Sequence, residues 1–160
     1  MDFVLYTISV RGIFSTHFEI YRNDVLMYRV RKPSFFAFRK MYFYDTGGNE
    51  VLEIYRHASF MKYRMTINQD GKSIATFEKD SFENFYTSTS IYGNYTIEGD
   101  FFGREYTVYD DEKDIAKVSR KRFRSKKKYG IAIIEGHNEL YILAMVIAIA
   151  IINSRRRKKG

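Results

Sequence analysis

The stretch Leu140–Ile152, LYILAMVIAIAII, decides the fold, because the Tyr141 hydroxyl is its only polar side-chain group. A helix that crosses a bilayer needs about 20 apolar residues. The thirteen residues of this stretch give a helix only about 20 Å long. Its β-branched residues would also suit a strand, but the stretch is long for a strand, and its leucine, methionine and alanine residues favour a helix. The sequence therefore predicts a buried core helix.

The predicted helix spans about residues 138–153. Asn138 can cap its N-terminus, and Glu139 suits the positive end of the helix dipole. Asn153 can adopt the left-handed conformation that ends a helix. Because the helix has no polar face, protein or lipid must surround it. Burial of its ten large apolar side chains, at about 1.5–3 kcal/mol each, gives roughly 15–30 kcal/mol before conformational entropy is subtracted.

A membrane anchor is the alternative interpretation of the same stretch. Five basic residues, Arg155 to Lys159, follow it almost directly, as basic residues follow membrane helices on their cytoplasmic side. The short length of the stretch favours the core helix, and the anchor remains the second possibility.

Twelve segments ahead of the helix have the pattern of β-strands. In His17–Tyr21, Phe18 and Ile20 share one face and the remaining residues share the other, which is the two-residue period of a strand. Asp70-Gly71 and the run from Asp45 to Asn49 are typical of hairpin turns. The predicted segments are Phe3–Val10, His17–Tyr21, Val25–Arg31, Lys40–Tyr44, Glu50–Arg56, Lys62–Asn68, Ser73–Lys79, Phe85–Ser90, Asn94–Gly99, Arg104–Tyr109, Lys113–Lys121 and Lys128–Ile133.

The strands and the helix together predict one architecture. A spacing of about 8–12 residues between strands is typical of an all-β barrel or sandwich. A helix with its side chains is about 10–12 Å across, so a sheet that encloses one must be wider than an eight-stranded barrel. We therefore predict a mainly β fold, a closed antiparallel β-barrel of about twelve strands around a central hydrophobic C-terminal helix. Residues 1–154 would form this single domain, and residues 155–160 a basic C-terminal tail.

Three segments resemble the tubby C-terminal-like superfamily, namely Tyr95–Phe101 (YTIEGDF), Tyr106–Asp110 (YTVYD) and Ile115–Lys121 (IAKVSRK). Asp70–Ala75 (DGKSIA) and the closing apolar helix fit the same pattern. The order and spacing of these motifs are most similar to the LURP-one-related branch and its bacterial YxjI-like members, over essentially the whole chain. The resemblance implies a twelve-stranded barrel around a central helix. It also implies distant kinship with the phosphoinositide-binding tubby proteins and with phospholipid scramblases, whose acidic calcium-binding segment before the helix is missing here.

The net charge of +8 is concentrated in two basic clusters. Residues 120–128 hold seven basic side chains and residues 155–159 hold five, which leaves a net charge of −4 for the rest of the chain. Basic clusters attract phosphate groups on anionic lipid or on nucleic acid. We predict an anion-binding or lipid-binding site in the first cluster, and the alternative is a solvated turn that prevents edge pairing. The candidate residues are Arg120, Lys121, Arg122, Arg124, Lys126, Lys127 and Lys128.

The sequence predicts no catalytic, cofactor-binding or metal-binding residue. The chain has no cysteine, which excludes disulfides, thiolate chemistry and cysteine-type zinc sites. His17, His57 and His137 lack metal-ligand spacing and are assigned to surface or packing roles. The acidic run Asp110–Asp114 lacks the spaced ligands and the turn glycine of an EF-hand.

Three classes of function remain. The favoured one is a non-enzymatic binding module, cytoplasmic or peripheral at the membrane, that contacts anionic phospholipid headgroups or a protein partner through its basic surface. The alternatives are a tail-anchored, scramblase-like membrane protein and an enzyme that uses the mouth of the barrel. Nucleic acid is disfavoured as a partner, because most aromatic residues alternate onto strand faces and the surface outside the two clusters is acidic on balance.

Overall fold

Twelve strands and one helix make up the structure, which is a computed structural model. It describes residues 2–11, 17–31, 40–57, 61–80 and 82–159, with side chains as far as Asn153. The elements are β1 (Phe3–Arg11), β2 (His17–Arg22), β3 (Val25–Arg31), β4 (Lys40–Asp45), β5 (Glu50–His57), β6 (Lys62–Gln69), β7 (Lys72–Asp80), β8 (Phe85–Ser90), β9 (Gly93–Asp100), β10 (Glu105–Asp110), β11 (Lys113–Ser119), β12 (Lys128–Ile134) and α1 (Glu139–Lys159).

The strands form one closed antiparallel barrel. Each strand pairs with its neighbours in the sequence, and β1 pairs with β12 to close the ring, with Val4 opposite Ile133 and Ile8 opposite Tyr129. Closure pairs both edges of the sheet, so neither edge is left as a template for another chain. The predicted closed barrel of twelve antiparallel strands is confirmed.

Side chains alternate between the inside and the outside of the barrel. In β2, Phe18 and Ile20 are buried, whereas His17 is exposed and Glu19 is half-buried. The same two-residue period runs through β6, where Met65 and Ile67 are buried. The inward-facing residues of the strands therefore line a closed apolar interior.

The helix α1 fills that interior. Every side chain from Tyr141 to Ile149 is buried, and all of them belong to one core cluster together with the inward-facing strand residues. The helix begins as predicted, because the Asn138 side-chain oxygen accepts a hydrogen bond of 2.8 Å from the backbone N–H of Tyr141. The core-helix interpretation of the apolar stretch is confirmed. In the described part of the chain, no helix combines the length and the apolar content that a membrane span requires.

The C-terminal limit of the helix differs from the prediction. The helix does not end at Asn153 but continues to Lys159. The Asn153 side chain does not cap the helix, because its Nδ2 donates a 3.0 Å hydrogen bond to the backbone carbonyl of Phe101 in the barrel. The arginine and lysine residues that follow are good helix formers, and their charges suit the negative end of the helix dipole. The predicted domain limit at residue 154 stays a prediction.

The barrel has two distinct ends, named here after the first strand. The Phe3 end is where β1 begins, and the Arg11 end is where β1 finishes. The helix enters at the Phe3 end, where the Tyr6 hydroxyl donates a 2.7 Å hydrogen bond to Glu139 Oε1. It leaves at the Arg11 end, where Asn153 contacts Phe101 after β9. The last turns of the helix, residues 154–159, therefore extend out of the barrel at the Arg11 end.

Two matched substitutions test the enclosure of the helix. Ile147 in α1 is 0% exposed, whereas Ile91 in the β8–β9 turn is 70% exposed. We expect Ile147→Ala to lower the free energy of unfolding by about 2–5 kcal/mol, because it leaves a cavity in the core. We expect Ile91→Ala to change it by less than about 0.5 kcal/mol. Urea denaturation measures both values, and equal losses would contradict the enclosed helix.

Buried tyrosines make the fold sensitive to alkali. Burial raises the pKa of Tyr106 and Tyr129 above the ordinary value of 10.0. The unfolded chain therefore releases these protons near pH 10 while the folded chain keeps them, and the free energy of unfolding falls as the pH rises above about 10. Tyr129→Phe should reduce that slope by up to about 1.4 kcal/mol per pH unit. Urea denaturation between pH 8 and 11 gives the slope, and an unchanged slope in the variant would contradict the expectation.

Candidate functional site

The seven basic residues singled out in the sequence lie together, in the connection between β11 and β12 at the Arg11 end. We name residues Arg120–Lys128 the basic loop. Arg120 is half-buried, and the other six side chains are exposed. Among the residues that the structure describes, none of the seven forms an ion pair with a carboxylate. The loop therefore presents seven positive charges that no described residue of the chain neutralises.

The first half of the basic loop is held by a carboxylate from the neighbouring hairpin. Glu105 Oε1 accepts a 3.0 Å hydrogen bond from the Ser119 hydroxyl and another of 3.0 Å from the backbone N–H of Arg120. Phe123 lies over β12, so close that a Cβ added at Gly130 would be 3.4 Å from its ring. These contacts fix where the loop leaves β11.

The second half of the basic loop is held from β1 and from the β9–β10 connection. The backbone N–H of Val10 in β1 donates a 2.8 Å hydrogen bond to the carbonyl of Lys127. The Arg104 guanidinium donates to the carbonyl of Lys126 and lies 4.7 Å from the centre of the Tyr129 ring. The contacts at both ends of the loop engage backbone atoms of the basic residues, so their charged side chains are left to face solvent.

The structure adds four basic residues that the sequence analysis did not select. Arg11, His17, Arg29 and Arg31 line a groove of about 390 Å³ on the outer face of β1, β2 and β3, together with Phe18 and Glu19. This groove adjoins the basic loop, because Lys128 pairs with Ser9, two residues before Arg11. The four residues are spread over 21 positions of the sequence, so only the strand register brings them together. The hairpin formed by β2 and β3 is recognisable in the sequence, and it would have placed Arg31 opposite His17. The sequence pattern does not show that Arg11 on β1 lies beside them.

The Phe3 end of the barrel has the opposite charge. Its turns and strand ends carry three basic residues, Arg22, Lys72 and Lys113, and many carboxylates. Those carboxylates are Asp2, Asp24, Asp45, Glu50, Asp70, Asp110, Asp111, Glu112, Asp114, Glu135 and Glu139. Hydrogen bonds from the backbone of Asn49, foremost, and of Gly47 lower the pKa of Asp45 and keep it charged. The barrel is therefore electrostatically polar along its axis.

No catalytic constellation stands out in the described residues. Among them, no three histidine, aspartate or glutamate side chains lie close enough together to hold a metal ion. His57 has a packing role, since its Nε2 is 2.6 Å from the Thr66 hydroxyl and its ring meets Tyr55 edge-on. His17 lies in the groove described above rather than beside other ligands.

Comparison with known proteins identifies the family. The profile of the LURP-one-related family matches residues 4–150. The chain belongs to the LURP-one-related family. A protein of Arabidopsis thaliana, solved by X-ray crystallography, matches 94% of this chain and 92% of its own, with a TM-score of 0.67 and 16% sequence identity. At that identity the similarity shows a shared fold, and the family match confirms the expected assignment to the LURP-one-related family. A search of curated proteins found no match.

The support that Glu105 gives to the basic loop of this LURP-one-related barrel can be tested. Glu105→Ala removes the acceptor for the Ser119 hydroxyl and the Arg120 N–H, and we expect it to lower the free energy of unfolding by about 1–3 kcal/mol. Exchange of the Arg120 amide hydrogen should also become faster. Glu98→Ala is the matched control, because Glu98 is an exposed carboxylate on the adjacent strand β9. Equal effects of the two substitutions would contradict this role for Glu105.

Proposed function

We propose that this protein is a non-enzymatic module that binds anionic phospholipid surfaces through the basic loop at the Arg11 end. The observation that carries the proposal is the absence of an ion pair for any of the seven basic residues within the described chain, on a loop whose backbone is held by β1, by β10 and by Arg104 in the β9–β10 connection. Basic side chains that only solubilise a turn need no such support. A held loop keeps its charges on one side of the molecule, where a flat anionic surface meets them together.

The expected affinity is that of a reversible peripheral contact. Each basic residue near an anionic membrane contributes about 1 kcal/mol. The six exposed residues of the basic loop would contribute up to about 6 kcal/mol together, which corresponds to a dissociation constant of the order of 0.1 mM. Such binding weakens as salt is added, because the interacting charges are exposed.

The polarity of the barrel supports one orientation on the membrane. A negative surface attracts the Arg11 end and repels the acidic turns of the Phe3 end. The helix α1 also leaves at the Arg11 end, so its last turns carry the second basic cluster of the sequence, residues 155–159, towards the same side. Both clusters would then face the membrane, although 26 residues lie between them in the sequence.

Exposed apolar side chains at the Arg11 end fit the same orientation. Phe82 is 80% exposed in the β7–β8 connection, and Phe102 in the β9–β10 connection is also exposed, as is Met61 before β6. Aromatic side chains are favoured at the level of lipid headgroups. The Phe3 end exposes Phe3, Val25, Ile91 and Tyr92 as well, but its many carboxylates disfavour contact with an anionic surface. The proposed location is therefore the cytoplasmic face of a membrane, with the barrel lying outside the bilayer.

Vesicle flotation tests the role of the basic loop. The double variant Lys126→Gln/Lys127→Gln removes two exposed charges and leaves the backbone carbonyls that hold the loop. We expect its affinity for phosphatidylserine-containing vesicles to fall by about 30-fold at low salt, which corresponds to about 1 kcal/mol per lysine. Wild-type binding should weaken steadily as the salt concentration rises.

The control for this experiment changes the net charge equally at the other end. Lys72→Gln/Lys113→Gln removes two exposed lysines from turns at the Phe3 end. We expect this variant to bind vesicles as well as the wild type or slightly better. Equal losses in the two double variants would show an effect of net charge alone, and an absence of salt-sensitive binding by the wild type would refute the proposed function.

A further inference from the structure

The groove beside the basic loop has the features of a binding site for one phosphate group. Strand register sets its geometry. His17 on β2 pairs with Arg11 on β1 and with Arg31 on β3, so the three side chains form one row across the outer face. Directly opposite residues in antiparallel strands have Cβ atoms about 4.5–5.5 Å apart. Arg29 lies two residues from Arg31 on β3 and therefore on the same face.

The positive charge in the groove is not balanced. Among the described residues that line it, Glu19 is the only carboxylate, and it is already engaged, by Arg11 Nε at 2.8 Å and by the Tyr21 hydroxyl at 3.1 Å. Arg29 and Arg31 form no ion pair and no side-chain hydrogen bond with any residue that the structure describes. In the strand register Arg29 lies opposite Glu19, whereas Arg31 lies opposite His17 and so has no carboxylate directly across from it.

Some other basic residues on the outside of the barrel behave differently. Lys62 and Arg64 on β6 both lie within ion-pair distance of Glu78 on the neighbouring strand, and Lys40 on β4 is paired with Glu53. These three residues pair with carboxylates across strands, whereas other exposed lysines of the described chain, such as Lys113 and Lys117, form no ion pair. Arg29 and Arg31 combine the absence of an ion pair to any described residue with a position in a groove that adjoins the basic loop.

The size and chemistry of the groove select the ligand. A volume of about 390 Å³ is within the range of small-molecule sites and holds a phosphate group with part of the molecule that carries it. Guanidinium groups donate pairs of parallel hydrogen bonds that match phosphate oxygens, and the histidine ring adds a further donor. We propose that Arg29, Arg31 and His17 bind the phosphate monoester of a ligand in this groove, with Arg11 held at its rim by Glu19.

This inference rests on the proposed function, because the groove would add recognition of a phosphate monoester to a surface that otherwise attracts any anionic lipid. The shared chemistry is a terminal phosphate, carried either by a lipid headgroup or by a soluble molecule. Phosphatidic acid represents the first source, since its headgroup is a phosphate monoester, and glycerol phosphate represents the second. Phosphatidylserine, whose phosphate is a diester, is the comparison lipid.

The experiment compares vesicles of equal surface charge that contain phosphatidic acid or phosphatidylserine, and adds calorimetric titration with glycerol phosphate. We expect the wild type to prefer phosphatidic acid by about tenfold or more, since each lost charged hydrogen bond costs at least that factor. Arg29→Gln/Arg31→Gln should remove the preference and keep the salt-sensitive binding to phosphatidylserine. Lys62→Gln/Arg64→Gln, which removes two paired charges from β6, should leave the preference intact.

The outcomes separate the two sources and the two proposals. Saturable glycerol phosphate binding that the Arg29→Gln/Arg31→Gln variant loses, without any vesicle preference, would assign the groove to a soluble phosphate monoester. If the variant matches the wild type in both assays, the groove proposal is overturned, whereas the basic loop proposal stands as long as phosphatidylserine binding responds to salt. The single variant Arg31→Gln, at an exposed position, gives the same readout if the double variant folds poorly.

Discussion

The structure depends on the burial of a helix that is apolar on every side. All nine side chains from Tyr141 to Ile149 are buried, so the helix needs apolar neighbours around its whole circumference. A single sheet face covers one side of a helix, and only a sheet that closes on itself covers all of them. The pairing of β1 with β12 provides that closure, and it satisfies the backbone hydrogen bonds of both sheet edges at the same time.

Because the apolar residues are inside the closed barrel, its outer face and its connections can carry charged residues. At the Phe3 end, the conformation of the turns favours residues that include aspartate. The tight turns of the Phe3 end need residues with positive φ, and the chain supplies Asn23, Asp24, Asp70 and Asp111 there. Asparagine, aspartate and glycine tolerate this conformation best. Turn conformation thus accounts for three of the carboxylates at the Phe3 end, those of Asp24, Asp70 and Asp111. The Arg11 end has longer connections, and these have room for the basic loop and for the end of the helix.

Much of the fold was predictable, because the two-residue alternation of strand side chains and the residues that form tight turns are local features of the sequence. Each strand was placed to within about two residues, and Asn138 was recognised as the helix cap. The C-terminal limit of the helix was missed because Asn153, a good terminator in isolation, contacts Phe101 instead, which lies 52 residues away in the chain. The basic loop was found because its charges are consecutive. The groove was missed because Arg11, His17 and Arg31 look like the ordinary outward half of three separate strands.

The sequence by itself determined that a wholly apolar helix must be enclosed, that some twelve alternating strands would enclose it, and that one loop would be strongly basic. Each of these features is set by neighbouring residues, through side-chain periodicity, turn conformation and charge density. The tertiary structure alone decided which charges meet. The pairing of β1, β2 and β3 places three arginines and a histidine around one groove, and the ring order places that groove beside the basic loop. Strand register is a long-range property, fixed only when the barrel closes around its helix, and it is register that brings these scattered surface charges together in one basic groove.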